Sequence, residues 1–202
     1  MKLYYSPGAC SQAPHIVALE TGSKLDLIKV DTSTHKTADG SDFYAINPKG
    51  YVPLLELDDG SRLSEGPVIC QYLADKAGNT ELMPAAGTIE RYRVMEWQNY
   101  ITAELHKTFS PLFNPTYDAS VKKIFSDAVL QKLGWVDEQL KDRDYLTGKN
   151  FTAADAYLFV VARWTLFVKL DISGLAHLNA FLARVAARPK VHEALKVEGL
   201  VK

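Results

Sequence analysis

The feature that most constrains the fold is the order of patterns over residues 2–30. An apolar run, Leu3-Tyr4-Tyr5, stops at Pro7-Gly8, and Cys10 follows. An amphipathic stretch through Ile16-Val17-Ala18-Leu19-Glu20 then runs to Gly22. Leu25-Asp26-Leu27-Ile28-Lys29-Val30 returns to alternating side chains. The reading is a strand over 2–5, a helix over 11–21 and a strand over 25–30. Pro14 is tolerable because it lies in the helix's first turn, and Gly22 caps the helix end. Two strands joined this way lie parallel with a right-handed crossover. Cys10 falls at the helix entrance, where backbone N–H groups and the positive dipole end favour a thiolate. A small packing residue is the other reading of such a cysteine.

The pattern continues as an α/β layer. The polar stretch 31–42 reads as a loop, and 43–46 as a short helix. Asn47-Pro48-Lys49-Gly50 is turn chemistry. Val52 to Leu57 reads as a strand with Pro53 near its start, Asp58-Asp59-Gly60 as a hairpin turn, and 62–64 as the returning strand. Glu65-Gly66-Pro67 opens a helix whose apolar stripe is Val68, Ile69, Tyr72 and Leu73. Cys70 lies inside it and reads as buried packing. The order is β-α-β-α-β-β-α.

After a Pro- and Gly-containing linker at 79–88 the character changes. Helices are predicted at 89–110, 118–141, 152–169, 175–187 and 190–197. The expected domains are therefore a small α/β domain over 1–80 and an all-α domain over 88–202. Thr152 and Asp155 stand three apart before an aromatic-rich apolar run, a capping-box arrangement that is read as structural. On a regular helix over 89–110, Val94, Trp97, Ile101 and Leu105 share one face. Glu96, Asn99, Ala103, His106 and Ser110 fall roughly opposite. That polar stripe faces water, a cleft or a partner subunit.

Composition excludes several classes. With 23 basic and 24 acidic side chains the net charge is −1, so neither nucleic acid nor an anionic membrane is an expected partner. The five histidines show no metal-ligand spacing, and no metal is expected. No run reaches the length of a membrane span, and no leader-like segment opens the chain. The expected location is the cytoplasm, where cysteines are mostly catalytic or buried.

Several segments together resemble one family. They are Met1 to Ser11, Asn47-Pro48-Lys49-Gly50-Tyr51-Val52-Pro53, Leu63-Ser64-Glu65-Gly66 with Gln71-Tyr72-Leu73-Ala74-Asp75, Glu104-Leu105-His106-Lys107, and Phe151 to Tyr157. In register and over the whole chain, they are similar to the bacterial beta-class glutathione S-transferases. The resemblance implies a thioredoxin-like N-terminal domain, a helical C-terminal domain and a homodimer. It also implies conjugation of glutathione, the co-substrate, to small apolar electrophiles, with thiol-disulfide or peroxide chemistry beside it.

Carried onto this sequence, the resemblance makes Cys10 and His106 the catalytic pair at the glutathione sulfur. His106 comes from across the interdomain cleft. Val52, before a cis Pro53, offers its backbone to the cysteinyl part. Glu65 and Gly66 hold the γ-glutamyl end, and His35 lies near the glycyl carboxylate. Asn99, Ala103, Glu104 and Leu105 line the cleft. The residue types suit a ligand with two carboxylates and one ammonium: Glu65 accepts from the ammonium, and helix-start N–H groups hold a carboxylate.

Three departures stand out. His35 replaces the family's usual lysine, with Lys36 beside it, so that contact is expected to be weaker and pH-dependent. Ala103 replaces the usual Ser or Thr, with Thr102 beside it. Ala13 leaves Cys10 without a C-x-x-C partner, so dithiol chemistry by this site is not expected. The alternatives to a transferase are a glutathione-dependent monothiol reductase and a non-catalytic ligand-binding protein.

Overall fold

A computed structural model describes all 202 residues, which form two compact units. The first comprises Met1–Met83 with Arg188–Lys202, the second Pro84–Ala187.

The first unit is built on a five-stranded sheet: β1 (Lys2–Tyr5), β2 (Asp26–Asp31), β3 (Lys36–Thr37), β4 (Leu54–Glu56) and β5 (Arg62–Ser64), in the order β3-β2-β1-β4-β5. As the βαβ pattern requires, β1 and β2 are parallel, with Leu3 opposite Leu27. On its other side β1 pairs antiparallel with β4, Leu3 opposite Leu55, and both leucines are fully buried. The hairpin at Asp58-Asp59-Gly60 joins β4 to β5 antiparallel. Helices α1 (Gln12–Thr21) and α3 (Gly66–Lys76) pack together, while the short α2 (Phe43–Ile46) delivers Phe43 to a cluster of Tyr4, Val30, Val52 and Leu54. Cys70 is buried in α3, and burial pushes its thiol far above the ordinary cysteine range.

Two features depart from the sequence reading. The stretch read as loop contains β3, a two-residue strand with no apolar alternation; it exists because β2 offers it an open edge. The C-terminal stretch is the second. Its last helix forms as α9 (Pro189–Val197), but residues 188–202 pack with the α/β unit, whereas the reading assigned them to the helical domain. Arg188 clamps them there through a two-pronged bond to the Glu20 carboxylate at 2.8 and 3.0 Å.

The second unit is helical: α4 (Ile89–Tyr100), a π-helical segment (Ile101–His106), α5 (Lys107–Phe109), a 3₁₀ turn (Ser110–Phe113), α6 (Ala119–Gln139), α7 (Ala153–Val168) and α8 (Ala176–Ala186). Every side chain of α7 from Ala153 to Ala162 is buried, as an all-round apolar stretch requires, while Leu166 and Phe167 near its end are exposed; α4, the π-segment and α8 pack against it. The expected helix over 89–110 is continuous in direction but not in winding, since its last residues before α5 adopt π geometry.

The capping box at the start of α7 is present. The Asp155 carboxylate is fully buried and accepts from Leu146 N at 2.8 Å, Thr152 N at 2.8 Å and Thr152 Oγ1 at 2.7 Å. Burial pushes its pKa up to about 6 against the pull of these donors, so it is mostly ionised at pH 7.5. Asp155→Ala strips two buried backbone donors of their acceptor. It is expected to lower stability by about 2–4 kcal/mol, read as a fall in the urea midpoint at pH 7.5.

Candidate active site

In the first unit the site is built from three turns. The first follows β1. Gly8 takes a left-handed φ of 73°, and Ala9 N–H closes back on Ser6 O at 3.0 Å. Ser11, fully buried, accepts from Ser6 N–H at 3.1 Å and donates to Ser6 O at 3.2 Å. That clamp fixes the position of Cys10, which is half-buried and lies just before the Ser11 cap of α1. Gln12 N–H and Ala13 N–H turn back to the carbonyls of Ala9 and Cys10. The Cys10 thiol donates to the carbonyl of Val52, Sγ to O at 3.3 Å.

The second turn carries Val52. Asn47 Nδ2 donates to Tyr51 O at 2.7 Å and Gly50 N–H to Asn47 O at 2.8 Å; the Val52–Pro53 peptide bond is cis. Gly50 is needed here. Its φ is 68°, and a Cβ would come within 2.5 Å of the Tyr44 ring and 3.0 Å of His35 Nδ1. His35 is seated against this turn, with Nδ1 3.1 Å from Gly50 O and its ring 4.4 Å from that of Tyr44.

The third turn starts α3. A Cβ on Gly66 would lie 3.7 Å from Pro53 Cγ and 3.9 Å from Cys10 O, so three distant stretches of chain meet there. Glu65, at φ 70°, is one of three non-glycine residues with positive φ, a strained geometry that clusters at functional sites. Its carboxylate is exposed and pairs with Lys49 Nζ at 2.8 Å, which also donates to Ser64 Oγ.

Sequence reasoning missed what holds the first turn from behind. Glu198, after α9, is buried. It accepts from Gly8 N–H and Gln12 Nε2, each at 2.9 Å, and its other oxygen meets His15 Nδ1 at 2.9 Å. The donors thus bracket Cys10 on both sides in sequence. The readable signal was Gln12 and His15 on a helix whose other neighbours are apolar. Their partner, more than 180 residues away, left no local pattern.

In the second unit the expected residues occupy different environments. Asn99, Ala103 and Glu104 are exposed, and Glu104 pairs with Lys132. Leu105 is fully buried, so its side chain belongs to the core and only its backbone is left to line a site. The Thr102 hydroxyl donates to Gln98 O at 2.8 Å, an internal bond that does not replace the hydroxyl missing at Ala103. His106 is half-buried. Its Nδ1 lies 2.7 Å from Tyr157 Oη, and its ring meets the edge of Trp164 at 4.7 Å. Phe109 and Phe113 also pack edge-on against Trp164. Tyr157 and Phe113 are further residues that the sequence reading left without a role.

Residues 8–76 match the family described as "Glutathione S-transferase, N-terminal domain", and residues 100–189 the one described as "Glutathione S-transferase, C-terminal domain". The chain is 48% identical to glutathione S-transferase GstA of Escherichia coli O157:H7, over 99% of this chain and all of that one. Among solved structures, a sphingomonad glutathione S-transferase complexed with glutathione is 42% identical with a TM-score of 0.95, each chain fully covered. A bacterial beta-class enzyme from Sphingomonas chungbukensis is 46% identical with a TM-score of 0.96, again over the whole of both chains.

Glu198→Ala leaves Gly8 N–H, the Gln12 amide and His15 without their shared acceptor. The expected loss is about 3–5 kcal/mol of stability. Amide exchange should accelerate over residues 6–16 in particular, as followed by mass spectrometry.

Proposed function

The chain belongs to the glutathione S-transferases, of the bacterial beta-class kind, and we propose that it conjugates glutathione to small apolar electrophiles using Cys10 and His106 at the glutathione sulfur. The observation that carries this reading is the convergence of Cys10, Val52, Pro53 and Gly66. It gathers a thiol, the backbone carbonyl that the thiol bonds and a helix start in one place. The family resemblance extends the reading to a homodimer that detoxifies electrophiles in the cytoplasm.

Each part of glutathione has a matching group. The backbone of Val52 pairs with the cysteinyl residue, and its carbonyl then exchanges the Cys10 thiol for a substrate N–H. The γ-glutamyl carboxylate meets the start of α3 at Gly66, an eleven-residue helix whose dipole favours an anion there. The γ-glutamyl ammonium goes to Glu65. The Lys49–Glu65 pair is solvent-exposed and therefore weak, so the ammonium displaces it readily. His35, fixed beside Gly50, reaches the glycyl end.

At the sulfur, a donor is what catalysis requires. Thiolate is the attacking species, and each donor that meets it lowers the free energy of the ionised form relative to the thiol. Cys10 S–H and the His106 imidazole are the two donors of this reading. Phe113, Tyr117 and Phe167, exposed in the second unit, offer aromatic surface for an apolar electrophile, with the buried Trp164 packed edge-on against Phe113.

Calorimetric titration with glutathione and conjugation of an aryl halide test the proposal. A protein that neither binds glutathione nor conjugates any electrophile in a broad panel would sink it. Glu65→Ala is expected to weaken glutathione binding about 10- to 100-fold, the loss of one charge-assisted contact. Cys10→Ala is expected to abolish exchange with a mixed glutathione disulfide, since Ala13 leaves no second thiol nearby in sequence. Exchange that survives this substitution would remove Cys10 from any redox role.

A further inference from the structure

We propose that Tyr157 is a positioning residue that donates its phenolic hydrogen to His106 Nδ1 and thereby holds the imidazole as the Nε2–H tautomer. The inference rests on the preceding reading only in placing His106 at the substrate sulfur.

The geometry is specific. Tyr157 Oη and His106 Nδ1 are 2.7 Å apart, a short bond for an O–H to nitrogen pair. Tyr157 is almost wholly buried, in a helix whose neighbouring positions Ala153, Ala154, Ala156 and Leu158 are completely so. The phenol therefore has one orientation. The imidazole is held from a second side by the edge of Trp164, the two rings inclined at 76°. Its backbone ends the π-helical segment, where Lys107 N–H reaches back to Thr102 O. π-bulges of this kind are concentrated at functional sites. Here the altered winding ends at His106, and the same helix carries Leu105 into the core.

The direction of the bond follows from acidity. A phenol ordinarily titrates near 10 and an imidazole near 6.5, so above neutrality the phenol keeps its proton and the imidazole is the base. A neutral imidazole has one N–H and one acceptor nitrogen. With Nδ1 accepting from Tyr157, the ring proton lies on Nε2. That nitrogen is then a donor, the form that stabilises a thiolate. The opposite tautomer would present a lone pair to the sulfur and repel it.

The test reads the tautomer directly. In uniformly ¹⁵N-labelled protein at pH 8, long-range ¹H–¹⁵N correlation of the imidazoles distinguishes the two forms, with His106→Gln used to assign the resonance. Wild-type protein is expected to show His106 protonated on Nε2. Tyr157→Phe, checked for folding by circular dichroism and urea unfolding, is expected to give a mixture of tautomers. Its kcat for aryl-halide conjugation should fall about tenfold or more, with KM for glutathione unchanged. A wild-type ring protonated on Nδ1 overturns the proposal whether or not the variant folds. So does a Tyr157→Phe ring with an unaltered tautomer. Undiminished conjugation by His106→Ala would instead overturn the assignment of His106 to the reaction, while the tautomer measurement would still judge Tyr157.

Discussion

A single buried carboxylate holds the Cys10 turn to the rest of its unit. Glu198 has Gly8, Gln12 and His15 as partners, each at 2.9 Å, and is itself out of contact with water. A buried charge is costly unless its lone pairs are satisfied, and here three donors converge on it. The donors come from the turn and from the first helix, so Glu198 can be satisfied only when both are in place. That requirement explains why the C-terminal residues pack with the α/β unit and not with the helices that precede them in the chain. It also gives the Cys10 turn, on a loop without regular structure, the rigidity that the role proposed for its sulfur needs.

The helical unit solves the same problem differently. His106 lies on a helix, and a helix alone fixes only its backbone. The ring is fixed by Tyr157 and Trp164, both on the buried helix α7. The capping box at Thr152 and Asp155 starts that helix a few residues before Tyr157. A structural motif therefore sets the position of a residue in contact with the candidate catalytic histidine. Stability and site geometry are coupled through one short stretch, Thr152 to Tyr157.

Much of this was legible from local pattern. The βαβ unit, the hairpin at Asp58-Asp59-Gly60 and the capping box are encoded within ten or so residues, where periodicity and turn chemistry act. The α3 stripe was only half right: Ile69 and Leu73 are buried, but with Cys70 and Ala74 beside them, while Val68 is exposed and Tyr72 only partly covered. What escaped was of two kinds. The strand β3 and the bonds of Glu198 depend on partners from elsewhere in the chain, and no local signal announces them. The winding of Ile101–His106 escaped for another reason. A helical wheel assumes one angle per residue, and π geometry turns through less. Placing His106 on the Asn99 stripe therefore rested on a period that ends at Tyr100. The wheel correctly put Leu105 in the core, yet Leu105 was also expected to line the site; its complete burial leaves the backbone as the only part of it that can do so.

The two cysteines show how burial separates chemistry from packing. Cys70 is fully enclosed in α3, its thiol is pushed far above the ordinary range, and it has no route to ionisation near neutral pH. Cys10 is half-buried on a clamped turn, with its hydrogen directed at a backbone carbonyl that an extended peptide would itself engage. On the proposed reading, a glutathione that takes the Val52 carbonyl releases the Cys10 hydrogen to turn toward its sulfur. The bond seen here and the donor proposed for catalysis are then one hydrogen in two settings. With Ala13 in place of a second cysteine, that sulfur is the only partner thiol the reaction supplies. On the proposed reading, one physical arrangement serves both conjugation and a monothiol exchange, with the electrophile present deciding between them.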